Sequence, residues 1–265
     1  MHPIERLRYV ARASGVPQPV LVREAAGALM SFAYEPHGLV TACRRMVSRQ
    51  PTSGPLLWLA SRVLASGDPV ADLRRSLDLL DEDTTPRELR YALPDGGSIA
   101  VLGWPDAAAE AVSVRGDLEV FVIDVLGEGA AFVQRLWNDD NDAVDVPLAG
   151  LGAAIGEVDL VLLETPAVGP TECLAVSGSR AAAAVARHRG IPVWAVAGVG
   201  RLLPDPLWTS LRRRVVSDEP WDADEELVSL DLVTEVVGPT GVLPVAAALQ
   251  TVDCAVAPEL LRGAI

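Results

Sequence analysis

Ser177-Gly178-Ser179-Arg180 opens an alanine-rich stretch that ends at Arg187-His188-Arg189-Gly190. A helix start carries unpaired N–H groups and a partial positive charge, so an acid usually stands there. The first turn here holds no acid, and Arg180 sits where the dipole disfavours a cation. A phosphate-like anion would make the arrangement comfortable, held by the first-turn amides, the serine hydroxyls and the guanidinium. A salt bridge from Arg180 to Glu172 or Glu164 would do so without a ligand. Gly103, Asp124 and Gly200-Arg201 follow other short apolar runs and join the ligand-binding set. Glycine lets a backbone approach a ligand closely, and Arg201 is expected to close on the same anion.

Three residues could carry catalysis: Glu164 and Asp106 as acid or base, and Cys173 as their partner. A helix N-terminus and Arg180 would lower the Cys173 thiol, unless it is a small apolar filler. Cys43 shares a helix face with Leu39 and Val47 and reads as core, and His188 and His37 read as structural. The three cysteines and three histidines are too scattered to hold a metal. The chain contains no lysine, which excludes Schiff-base chemistry and a P-loop. The first strand is followed by "GWPDAA" rather than a glycine-rich turn, so no dinucleotide or other cofactor is expected. G-x-S-x-G is also absent.

The net charge of -14 repels a phosphate backbone, so no direct nucleic-acid binding is expected. No apolar run reaches the roughly 18 residues of a membrane span, and the N-terminus lacks the apolar stretch of a signal peptide. A cytoplasmic protein without membrane contact is the expectation.

These residues need elements to position them. Up to about residue 92, apolar residues recur at three- and four-residue spacing, broken at Gly15–Pro19, Glu35–Gly38, Pro51–Pro55 and Gly67–Pro69. Thr85-Pro86-Arg87-Glu88 reads as a capping box. At Pro94-Asp95-Gly96-Gly97 the pattern changes: "SIAVLG", "LEVFVID", "AVDVPL", "VDLVLLE" and "IPVWAVAG" read as strands separated by helices. The predicted fold is α/β: a helical N-terminal region over 1–93, then a doubly wound, mostly parallel Rossmann-like sheet domain over 94–265. Past Gly200, "PLWTSLRRRVV" reads as a helix running into a strand and "ELVSLDLVTEVV" as a strand and a short helix. "APELLR" reads as a terminal helical turn.

The helical beginning, the run "VDLVLLE…VGPTECLAVSGSRAAAAVARHRGIPVWAVAG" and the later "VDCAVAPELLR" together resemble the initiation-factor-2B-related family. That family comprises the α, β and δ subunits of eukaryotic translation initiation factor 2B. It also includes sugar isomerases acting on methylthioribose 1-phosphate and ribose 1,5-bisphosphate. The resemblance implies a Rossmann-like fold, an anion-binding helix start at Gly178-Ser179 and self-association. The isomerases' catalytic Asp lies in a Gly-Ala-Asp segment, where this chain has Glu164-Thr165-Pro166. The place of their catalytic Cys is taken by "GWPDAA", and the family's Asn-Lys becomes Val176-Ser177.

Two functions fit these residues. One is a non-catalytic binding or regulatory protein that takes a small phosphorylated ligand, a sugar phosphate or nucleotide, and acts as a homodimer. The other is a sugar-phosphate isomerase with rearranged catalytic residues. The apolar residues after Pro204 are also expected to need a second copy for burial.

Overall fold

The computed structural model describes residues 17–261. The described residues begin with α1 (Gln18–Leu29), α2 (Pro36–Arg49), α3 (Gly54–Ala65), α4 (Pro69–Asp81) and α5 (Thr85–Ala92). Each has a proline in its first two positions, where a missing N–H costs nothing. Ser53 caps α3 by accepting from the Leu56 amide at 3.3 Å, and Asp68 caps α4 through Ala71 at 3.1 Å. The capping box expected at Thr85 does not form. The Thr85 hydroxyl donates to Asp83 at 2.6 Å, and the preceding Thr84 donates to the Pro239 carbonyl at 2.7 Å. The preceding Asp83 and the remote Pro239 carbonyl take the hydroxyls that a cap would use.

The periodicity changes where expected. β1 (Ser98–Leu102), α6 (Asp106–Val112), β2 (Glu119–Asp124), α7 (Gly129–Asn138), β3 (Asp142–Pro147), α8 (Leu151–Ile155) and β4 (Leu160–Glu164) alternate along the chain. After β5 (Ala167–Val168) and β6 (Glu172–Val176) come α9 (Ser179–Arg189), β7 (Val193–Val196) and α10 (Asp205–Val215). β8 (Glu225–Ser229), β9 (Glu235–Gly238), β10 (Gly241–Pro244) and α11 (Val245–Ala248) follow. The main sheet has seven strands in the order β10-β9-β7-β4-β1-β2-β3. Its pairs are parallel except β9–β10. The order reverses between β1 and β4, which makes that junction the topological switch point.

A second sheet, β5-β6-β8, is antiparallel; β8 is the strand read at "ELVS", but β5 and β6 were not legible in the sequence. These two occupy the stretch between Glu164 and Ser177 that reads as a loop. α10 ends at Val215 without running into a strand; the strand and short helix read in "ELVSLDLVTEVV" are β8 and a 3-10 turn at Leu230–Leu232, and β9 follows as a further strand.

The first core is built from α1–α4, yet it is completed by Leu203, Leu207, Trp208, Leu211, Ala257 and Leu260. The returning C-terminal segment is pinned by Trp58 Nε1 to the Asp253 carbonyl at 3.1 Å and Ser61 Oγ to the Ala255 carbonyl at 2.6 Å. Leu207, Trp208, Leu211, Ala257 and Leu260 therefore find cover within one chain, while Val216 and Trp221 stay exposed. Leu89 of α5 and Leu93 pack with β1 and β2 in a separate core, so buried contacts run across residue 93. No helix among the described residues is long and apolar enough to cross a membrane.

Candidate functional site

At the switch point the C-terminal ends of β1 and β4 border a cleft of about 200 Å³. Gly103, Asp106, Glu164 and Arg201 line it together, so four of the residues singled out in the sequence converge. Gly103 has a φ of +63°, a conformation that suits glycine, and lets the chain turn sharply off β1. Glu164, the last residue of β4, does two jobs. One oxygen accepts from Arg201 Nη1 at 2.9 Å; the other accepts from the Ala107 and Ala108 amides at 2.8 and 3.2 Å. The pair is nearly buried, with Arg201 8% and Glu164 13% exposed, and Arg201 also donates to the Thr165 carbonyl at 3.2 Å. The first turn of α6 and the arginine thus hold an anion supplied by the protein itself.

The α9 start follows the same rule. Gly178, with a φ of +96°, precedes the helix, and the Arg180 amide donates to Glu226 of β8 at 2.9 Å. The Arg180 guanidinium donates to the Leu227 carbonyl at 2.9 Å and lies 3.7 Å from the Glu226 carboxylate. The acid missing from the local sequence arrives from another strand, and it is neither Glu172 nor Glu164. Ser177 Oγ donates to the Ala223 carbonyl, while Ser179 Oγ is buried without a hydrogen-bond partner. Arg180 lines a separate groove from Arg201, so the two guanidinium groups do not close on one cavity.

Two further strand ends are filled in the same way. Asp124, at the end of β2, accepts from the Gly127 and Gly129 amides at 2.7 and 3.2 Å. Asp83 accepts from the Val199 amide at 2.9 Å and crowds Gly198, where a Cβ would collide with its carboxylate. Gly200, with a φ of +76°, packs its backbone on Trp58. The sequence singled out Asp124 and Gly200 correctly as strand-end residues. It missed Asp83 and Glu226, which lie on elements remote from the loops they serve.

The catalytic trio does not assemble. Cys173 lies in β6, fully buried, and burial pushes its thiol up to about 12. Cys173 is thus the small apolar filler of the two readings the sequence offered, in a strand rather than a loop, and desolvation works against a lowered thiol. Cys43 is buried in the helical core and is likewise pushed up to about 12, as its helix-face position implies. No cysteine lines the cleft among the described residues. Asp106 remains, its carboxyl raised above the ordinary range by burial first and by Glu164 second, against the pull of Arg201. Thr165, beside Glu164, is buried and donates to the Val196 carbonyl at 3.0 Å. Among the described residues no group of metal-ligating side chains is placed to hold an ion.

A switch-point cleft at the edge of a doubly wound sheet, beneath a helical N-terminal layer, defines a fold class that solved structures share. No protein-family model and no curated protein matches the sequence. By structure, the chain is similar to the translation initiation factor eIF-2B of Pyrococcus horikoshii OT3. The TM-score is 0.76 at 14% identity, covering 94% of this chain and 98% of that one. It is also similar to the tetrameric eIF2B-beta2-delta2 complex of Chaetomium thermophilum, with a TM-score of 0.74, 18% identity and coverage of 94% and 92%. The 5-methylthioribose 1-phosphate isomerase of Pyrococcus horikoshii OT3 matches at a TM-score of 0.65 and 16% identity, over 95% and 88%. The fold is that of the eIF2B subunits and this isomerase.

Proposed function

We propose that this chain is a non-catalytic binding and regulatory protein on the eIF2B-like scaffold. It self-associates, minimally as a homodimer, and takes a small phosphorylated ligand in the switch-point cleft. The observation that carries this reading is Glu164, whose carboxylate fills both the arginine and the amide pair that a phosphate would use. The Glu164 carboxylate is already engaged by the arginine and two amides, and the cleft has no cysteine partner among the described residues. Both points weigh against an isomerase. Among the described residues that line the cleft only Arg201 carries positive charge, so a phosphate must compete with Glu164 for it. Assembly is supported by the tetrameric complex among the structural neighbours.

Thermal-shift titration with ribose 5-phosphate and adenosine monophosphate tests the reading. Weak binding to the parent, tighter binding to Glu164→Gln and none to Arg201→Ala are the expected results. Interconversion of aldose and ketose phosphates by the parent would overturn the non-catalytic reading. Equal binding by Arg201→Ala would overturn the ligand site, and a monomer by light scattering at micromolar concentration would remove the homodimer.

A further inference from the structure

We infer that the groove beside β8 docks an extended, basic segment of a partner protein that carries large apolar side chains. This groove adjoins the switch-point cleft, with Glu225 lining both, and takes a protein segment rather than a small ligand. β8 is the outer strand of the small sheet and pairs with β6 alone. Backbone bonds from Ser177 to Asp224 and from Leu230 to Thr171 fix the alternation of this ladder. Glu226 and Val228 therefore bond inward to β6, while Glu225 and Leu227 turn their N–H and C=O groups outward. Arg180 Nε holds the Leu227 carbonyl, which leaves the Leu227 amide and the groups of Glu225 for an incoming strand.

That edge borders a groove of about 420 Å³ whose lining includes Val215, Val216 and Trp221. Trp221 is 75% exposed and Val216 60%, although each is large and apolar. An unpaired strand edge facing an apolar wall is the geometry of strand addition, in which main-chain bonds give affinity and side-chain contacts give selectivity. The charge selects the partner. Glu225 lines the groove, Asp218, Glu219, Asp222 and Asp224 flank Trp221 along the sequence, and none of the five forms an ion pair among the described residues. A basic segment complements this rim. A second copy would bring an identical acidic rim against it in a two-fold contact, on a chain of net charge -14, so self-docking here is opposed.

The test is fluorescence anisotropy of the full chain with a labelled ten-residue probe of alternating valine and arginine. Two control probes replace valine by serine or N-methylate alternate residues. We expect the probe to bind, and Trp221→Ala or either control to weaken binding at least about tenfold, as loss of an anchor does. Trp221 is exposed, so its removal should leave the thermal melt unchanged, and a circular-dichroism melt checks this. Equal binding by Trp221→Ala or by the serine probe reduces the effect to bulk charge and overturns the proposal. An N-methylated probe that binds fully overturns strand addition. A dimer that dissociates on Trp221→Ala assigns the groove to a second copy. Displacement of the probe by a peptide of residues 1–16, more tightly than by unlabelled probe, assigns it to the chain's own N-terminus. Either result overturns the partner.

Discussion

At the scale of single residues, the acidic composition has a structural counterpart. Glu164, Glu226, Asp124 and Asp83 each satisfy backbone amides at a strand or helix end. These internal carboxylates do what bound anions do at comparable helix ends elsewhere. Asp106 shows the cost of packing acids together. Its raised carboxyl means that the folded state binds its proton more readily than the unfolded state does. Stability from this group is therefore present below its ordinary range and falls as pH rises through the raised value. Asp106→Asn should raise the melting temperature at pH 7, with the gain vanishing near pH 3, where both side chains are neutral, about one unit below the ordinary value. A series of melts across that range checks it, and a gain that persists at pH 3 would exclude titration as the cause. The sequence pointed to a negative group at the α9 start and favoured a phosphate-like anion over a protein acid. It could not name Glu226, because β8 meets α9 only through the tertiary fold.

At the scale of elements, what was legible followed from burial pattern. β1, β2, β4 and β7 are near-continuous apolar runs because helices cover both faces of the sheet. The β5–β6 hairpin was not legible. β5 has two residues, and "VGPTE" between the strands carries the marks of a loop. Its position depends on Gly169, where a Cβ would run into the indole of Trp208 in α10. The Gly169 amide also donates to the Glu172 carbonyl at 2.9 Å to close the turn. Gly169→Ala should therefore cost about 3 kcal/mol through overpacking against a rigid ring. Urea unfolding measures this, and a cost below about 1 kcal/mol would show that Trp208 moves aside freely.

At the scale of the whole molecule, the helical layer and the sheet layer are not sequential blocks. Residues 203–211 and 257–260 complete the core of α1–α4, while α5 joins the core around β1 and β2. Periodicity located the change of element type near Pro94 but carries no information on which distant segment seals a helical face. Leu260 is 1% exposed in the first core. Leu260→Ala should destabilise the protein by about 2–4 kcal/mol, the range for a cavity in a well-packed core. Denaturant unfolding followed by the indole signal of Trp58 checks it. A loss below about 1 kcal/mol would mean that the C-terminal turn is ornamental.

The late return of the C-terminal segment to the first helices has a consequence for how the protein is made. A ribosome releases α1–α4 first, with Trp58 and its neighbours lacking the floor that residues 203–211 and 257–260 provide. These contacts join segments far apart along the chain and must wait until Leu260 has emerged. Throughout that interval the nascent chain carries an open apolar trough, the surface that holdase chaperones bind and that drives misassembly when unprotected.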